Sequence, residues 1–304
     1  TIERDDIGAS TNDPKLIAMK SAYKPYGSAQ DDFEIFNALA ARLGKRDRFS
    51  EGRTNKQWLE FLYEPTRRAL ADKGLSAPSF GEFWERGELD LPVGSAPGML
   101  RQFVKNPVDC PLPTPSGRIE ISSERIESFG YQDCPGHPTW MEPEEWLGSP
   151  RTSKFPLQLV ANQPKNRLHS QLDFGVKSQE LKVAGREPVR IHPDDASKRN
   201  ITDGDIVRLY NDRGACLAGA VVSNAVRQGV VQLSTGAWYS PADHSDPFAL
   251  CRHGNPNVLT RDFGTSKLAQ GCTGQLSLVE IERYLENVPA EDFYNAPTTN
   301  LGSV

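Results

Sequence analysis

The sequence predicts an α+β protein, with a helix-rich first half and a strand-rich second half that closes into a small β-barrel. Three observations carry this. Before residue 87, apolar residues recur at helical spacing behind Asp, Thr and Ser caps. From 87 to 150, prolines crowd the chain and interrupt regular structure. After Pro150, short apolar runs alternate with turns that carry Gly and Asp, the pattern of a small barrel. The expected boundaries are 1–150 for the helical half with its proline-rich connector, and 151–304 for the barrel.

The elements follow in order. Asp31 caps a helix that places Phe33, Phe36, Leu39, Ala40 and Leu43 on one face, with Glu34 in its first turn and Gly44 as its stop. Thr54 with Gln57 forms a capping-box pattern ahead of Trp58, Leu59, Phe61 and Leu62, and Gly74 ends that run. Ser79 with Glu82 repeats the pattern before Phe83 and Trp84, closed by Gly87. In the connector, Pro115-Ser116-Gly117 is a turn, Arg118 to Ser122 alternates like a short strand, and Ser123 opens a brief helix that Gly130 ends. The second half offers strands at Phe155–Ala161, Val189–His192, Ile206–Tyr210, Cys216–Val222 and Val230–Leu233. Asn211-Asp212-Arg213-Gly214 reads as a hairpin turn, and Pro193 as the start of a helix. Leu276 to Ile281 fits neither a strand period nor a helix period cleanly.

Composition narrows the function. The 304 residues exceed the usual reach of one hydrophobic core, about 250–300 residues, so two domains or one with part of another are expected. Hydrophobic residues at 37% and charged residues at 25% exclude disorder as the main state. No apolar run approaches the roughly 20 residues of a membrane helix. A net charge of −5 argues against a nucleic-acid groove. The five cysteines are odd in number and none are spaced C-x-x-C, which argues against a disulfide framework or a zinc site. Asp194, Asp195, Asp203 and Asp205 lack calcium-loop spacing and read as caps and turns. The chain opens on Thr1 without Met and without a secretory signal, like a piece of something longer.

Four stretches carry a family resemblance: ANQPKNRLHSQLD (161 to 173), HPDDASKRNITDGDIVRLYNDRG (192 to 214), GVVQLSTGAWYSP (229 to 241) and HGNPNVLTRDFGTSKLAQG (253 to 271). In this order they resemble the C-terminal domain of the molybdopterin oxidoreductases of the dimethyl sulfoxide reductase family. TPSGRIEI resembles the segment leading into that domain. ERDDIG and DDFEIFNALAARLG resemble the end of the preceding α/β region. RLHSQL and the stretch from HGNPNVLT to LAQG are most similar to the biotin sulfoxide and trimethylamine N-oxide reductase branch. The resemblance implies a six-stranded double-psi barrel that covers one molybdenum ion held between two molybdopterin guanine dinucleotides. It implies oxygen-atom transfer from an S-oxide or N-oxide in a longer chain. This sequence would be the C-terminal part, with the N-terminal portion of the same enzyme as its partner. No catalytic residue and no metal ligand fall in this chain on that reading, so alone it would be inactive. The branch favours a cytoplasmic location, with a periplasmic one open.

The residue types suit such a cofactor, which is polar along its length and needs fixed neutral donors and acceptors plus some positive charge. Asn162 and Gln163 bring amides, Arg167 a planar fork for phosphate or carbonyl oxygens, and His169 a ring donor. Ser170 and Gln171 add local donors. By resemblance Asn257, Gly274 and Gln275 also contact the cofactor, with Lys267 and Gln270 as weaker candidates. Trp238 reads as structural. Gln163 stands where dimethyl sulfoxide reductases often carry His, which keeps an amide donor and removes a proton. Two alternatives stay open: a stand-alone double-psi barrel that binds a nucleotide or a partner without redox chemistry, and the nitrate reductase or formate dehydrogenase branch.

Overall fold

The computed structural model describes residues 2–10, 13–92, 100–271, 277–288 and 294–295. The chain forms two compact units, residues 1–118 and 119–304. The division lies ahead of the boundary at 150 that proline density suggests, so the stretch from 119 to 150 goes with the second unit.

The first unit contains β1 (Asp6–Ala9), β2 (Lys15–Met19), α1 (Asp32–Arg42), α2 (Arg46–Ser50), α3 (Asn55–Ala71), α4 (Phe80–Arg86), β3 (Glu88–Asp90) and α5 (Arg101–Lys105). Its caps follow the sequence. Asp31 accepts from the Glu34 amide at 3.0 Å. Thr54–Gln57 and Ser79–Glu82 close full capping boxes, and Gly87 ends α4 in the left-handed region at φ 87°. The strands β1, β2 and β3 form an antiparallel sheet that the helix-rich pattern did not announce. Tyr63 and Phe83 stack at 4.8 Å between ring centres and, with Leu16 and Ala18, make its core.

The face expected of α1 is only partly inward. Ala40 is buried, but Phe36, Leu39 and Leu43 are exposed. The helix packs along α2, where Phe33 stacks on Phe49 at 5.7 Å, and so short a neighbour covers a narrow stripe.

The second unit contains α6 (Glu124–Glu127), β4 (Leu157–Val160), α7 (Val176–Gln179), β5 (Pro188–Ile191), α8 (Pro193–Ser197), β6 (Ile206–Asn211), β7 (Gly214–Val222), β8 (Val230–Leu233) and β9 (Ser277–Arg283). The strands close into a mixed barrel in the order β4-β8-β5-β7-β6-β9. This is the six-stranded barrel expected of the second half. The pairs β4·β8 and β5·β7 are parallel, and the remaining four are antiparallel. Asn211 pairs with Gly214, so the hairpin turns on Asp212 and Arg213 as its sequence predicts. Arg118 to Ser122 makes no strand, because the backbone there turns back on itself and Ser123 donates to the Gly136 carbonyl at 2.6 Å. Of the ambiguous run 276–281, residues 277–281 lie in strand β9.

Alternation fills the barrel. Leu157, Leu159, Val189, Ile191, Val207, Leu209, Val231, Leu233, Val279 and Ile281 point inward and are buried. Each such side chain contributes at most about 1.5–3 kcal/mol. Register then fixes one rim. There β4, β6 and β8 end and β5, β7 and β9 begin.

Candidate functional site

The loop that leaves β4 at this rim carries most of the predicted contacts. It is held over the segment that leaves β8. Thr235 donates to the Asn162 carbonyl at 2.9 Å. The Asn162 side-chain oxygen accepts from Gln232 and, at 3.3 Å, from the Ser234 hydroxyl. Its amide donates to the Gln163 carbonyl at 2.9 Å. Gln163 reaches the His169 Nδ1 at 3.1 Å. Ser170 offers its carbonyl to the Trp238 indole N–H at 3.0 Å, and the Gln171 amide donates to the Leu168 carbonyl at 3.0 Å. Trp238 is thus a strut under the loop, stacked edge-on with Phe174 at 5.8 Å.

Two residues give the loop its shape. His169 and Leu172 adopt left-handed backbone, at φ 49° and 57°, costing on the order of 1 kcal/mol each. Gly236, at φ +96°, lies directly under the His169 carbonyl, where a Cβ would collide with backbone. Only glycine gives both that conformation and that approach.

Beside the loop is a cavity of about 200 Å³, lined among others by Asn162, Gln163, Lys165, Asn166, Arg190, Gln232 and Ser234. Amides, hydroxyls, cations and the Glu187 carboxylate share this lining with Pro164, Leu181, Pro188 and Val221. That donor set fits a ligand made of amide edges, hydroxyls and phosphates.

Asn257 reaches the same rim by another route. Asn255 caps a short 3-10 turn, Pro256–Val258, on which Asn257 is exposed. Asn211 and Arg213 of the hairpin donate to the next carbonyl, Leu259, at 2.8 and 2.9 Å. Gly274 and Gln275 lie outside the described residues, but β9 starts at this rim. Lys267 donates its amide to Asp133 at 3.0 Å, and the Gln270 side chain bonds the Ser266 carbonyl.

Arg167 has a different place from the phosphate contact that its fork allowed. Its Nε donates to the His169 carbonyl at 3.1 Å, and its Nη2 to the Thr235 carbonyl at 3.3 Å and to Glu187 at 3.0 Å. These partners are the protein's own carbonyls and a carboxylate rather than groups of a cofactor, and Arg167 also lines the cavity beside the loop.

Beneath the loop lies a cluster that sequence reasoning missed. Lys182 donates to Asp173 at 2.7 Å and to Glu187 at 2.6 Å. Asp173 also accepts the Trp238 amide at 3.2 Å and the Tyr294 hydroxyl at 3.1 Å. The Tyr294 oxygen lies 3.0 Å from His253 Nε2, and His253 Nδ1 lies 3.3 Å from the Trp238 carbonyl. Burial works to raise the Asp173 carboxyl, but Lys182, His253 and Arg167 outweigh it and hold it below its usual range. Burial, helped by Lys182 and opposed by Asp173, lowers His253 to about 4, so the ring is neutral at pH 7. Asp173 ends one family-like stretch and His253 begins another, the one signal that pointed to them.

A second buried charge ties the 119–150 segment to the rim. Glu145 accepts both Arg213 guanidinium N–H groups at 2.7 and 2.9 Å and the Leu278 amide at 2.9 Å. The aspartates set aside as metal ligands have partners of their own: Asp195 accepts from Gly229, Asp203 from Val222 and Asp205 from Thr202. Among the described residues no helix is long and apolar enough to cross a membrane.

The closed mixed barrel is matched by a family of dinucleotide-binding domains. The family model described as Molydopterin dinucleotide binding domain matches residues 157–275. The dimethyl sulfoxide/trimethylamine N-oxide reductase of Rhodobacter capsulatus is 44% identical over 286 residues, covering 93% of this chain and 35% of that protein. The biotin sulfoxide reductase of Cereibacter sphaeroides is 44% identical over 285 residues, covering 93% of this chain and 38% of that protein. Acetylene hydratase from Pelobacter acetylenicus shares the fold, with a TM-score of 0.67 at 17% identity over 93% of this chain and 37% of that one. The chain carries a molybdopterin dinucleotide-binding domain and is homologous, over most of its length, to these dimethyl sulfoxide/trimethylamine N-oxide and biotin sulfoxide reductases. It spans about a third of the length of the curated relatives it matches.

Proposed function

We propose that this chain is the C-terminal, cofactor-binding portion of a molybdenum-dependent S-oxide or N-oxide reductase. The observation that carries this reading is the rim itself, where Asn162 and Gln163 line a cavity, with His169 bonded to Gln163, on a family-like barrel. Residues 151–304 act as the dinucleotide-binding domain, with the segment before it as a strap fixed by Glu145. The proposed contacts are Asn162, Gln163, His169, Ser170, Gln171 and Asn257, with Gly274 and Gln275 ahead of β9. Arg167, which lines the same cavity, is proposed as a further contact and also braces the loop.

The cofactor on this reading is molybdenum with two molybdopterin guanine dinucleotides, shared with an N-terminal portion of the enzyme. When bound it supplies two-electron oxygen-atom transfer from substrates such as dimethyl sulfoxide, trimethylamine N-oxide or biotin sulfoxide. The chain's own part is orientation and electrostatics. The Gln163–His169 pair presents an amide and an imidazole together, and the amides and cations of the cavity meet polar edges and phosphates. A cytoplasmic location accompanies the biotin sulfoxide reductase likeness.

Co-expression with the N-terminal portion tests the proposal. The joined protein should contain molybdenum and guanine and reduce at least one of the named oxides, whereas this chain alone should show no turnover. Absence of both metal and guanine from the joined protein would favour a non-redox binding module instead.

A further inference from the structure

The charges beneath the loop are more than ballast. The side chains of Arg167, Asp173, Lys182 and Glu187 are at most 3% exposed, and two cations face two carboxylates. Burying four charges is expensive, and well-packed apolar residues of the same volume often serve stability as well or better. What aliphatic residues cannot give is direction. A guanidinium is a rigid fork of donors, and here two of its arms aim at two backbone carbonyls. One belongs to Thr235, after β8. The other belongs to His169, the residue in left-handed backbone.

The path of restraint can be followed bond by bond. Glu187, at the start of β5, fixes one end of Arg167 at 3.0 Å. Lys182 links Glu187 to Asp173. Asp173 closes the loop that Asn162 opened, and its second oxygen takes the Trp238 amide at 3.2 Å. Both ends of the loop are thereby tied to the barrel, and Arg167 bonds the carbonyl of its most strained residue. His169 in turn holds Gln163 through its ring at 3.1 Å.

We propose that Asp173, Lys182, Glu187 and Arg167 form a positioning site that locks the left-handed turn at His169 and thereby aims the Gln163–His169 pair at the dinucleotide. Arg167, Lys182 and Glu187 also line the cavity beside the loop, so the lock is distinguished from direct contact by loop exchange read without ligand. The aim toward a dinucleotide rests on the function proposed above, whereas the lock does not.

The test uses the 304-residue chain in two arms. Amide hydrogen exchange reads the lock in Arg167→Lys, which keeps the charge but loses the fork, and in Asp173→Asn. Exchange over residues 162–173 and 234–238 should rise at least tenfold in Arg167→Lys, while β6, β7 and β9 keep their protection. The second arm titrates oxidised molybdopterin guanine dinucleotide, and Arg167→Lys should bind it at least tenfold more weakly. If Asp173→Asn does not fold, Arg167→Lys still decides. Unchanged loop exchange overturns the proposal, as does uniform acceleration through the barrel, which would make the cluster a general prop. A loosened loop with unchanged affinity overturns the aim. A loosened loop in a chain whose parent binds no dinucleotide upholds the lock and counts against the function proposed for the rim.

Discussion

The inside of the barrel and the ground beneath its rim are equally dry and hold opposite chemistry. Inside, Leu159, Val189, Ile191, Val207 and Leu209 are fully buried, and any side chain of similar volume would exclude water as well. Beneath the rim, Arg167, Asp173, Lys182 and Glu187 are as buried, yet every contact has a direction. Apolar packing gives stability without orientation. The charge cluster costs desolvation and gives orientation, which a binding loop needs and a core does not.

The largest break in that contrast is Lys182→Met. Methionine nearly fills the space but leaves Asp173 and Glu187 facing Arg167 alone. Removing one partner of a buried pair costs about 3–5 kcal/mol, more than an apolar exchange of equal size in the barrel, which costs less than about 1.5 kcal/mol. Urea unfolding followed through the barrel strands measures the difference. The double variant Asp173→Asn/Lys182→Met should recover part of the loss, because it leaves Arg167 balanced by Glu187. Equal losses in the single and double variants would show that volume rather than charge matters there.

Next comes Gly236→Ala. The added methyl meets the His169 carbonyl and the φ of +96° is strained for any L side chain, so a loss of about 3 kcal/mol is expected. The loss should come with faster exchange in the Asn162–Asp173 loop. Alanine at an exposed glycine with open space, Gly81 in α4, should by contrast be neutral or slightly stabilising.

How much of this could be read from residues depends on distance along the chain. The caps at Asp31, Thr54 and Ser79 and the hairpin at Asn211–Gly214 are local, and each formed where its pattern said. Arg118 to Ser122 alternates as a strand should, but among the described residues no strand pairs with it, and alternation without a partner makes no sheet. The strand Lys15–Met19 escaped notice because a five-residue apolar run fits several structures equally well. In the site, the polar side chains of the Asn162–Gln171 loop were legible as chemistry. Their support was not. Asp173, Lys182, Glu187 and His253 meet only when the barrel closes, and no spacing in the sequence brings them together. Arg167 shows the cost of this: its fork was legible, and its true partners were not.

The smallest of the expected effects concerns His253. Its folded pKa, about 4, lies below the ordinary 6.5, because burial and Lys182 disfavour the imidazolium more than Asp173 favours it. Between those two values the unfolded chain takes up a proton that the folded chain refuses. Stability is therefore full above pH 6.5 and falls as the pH drops toward 4. One pKa unit is worth about 1.4 kcal/mol, which sets a ceiling of about 3.5 kcal/mol on the loss. Asp173 adds to it further down. Its folded pKa is depressed, so its contribution is present above its ordinary value of 3.8 and is lost as the pH falls below that. The two groups act on each other, and His253→Gln removes the upper part of their combined loss. In His253→Gln the slope of unfolding free energy against pH should flatten between 4 and 6.5 and persist below 4. A slope that survives the substitution unchanged would place the titration elsewhere, and the neutral ring beside Asp173 would lose its part in balancing the cluster.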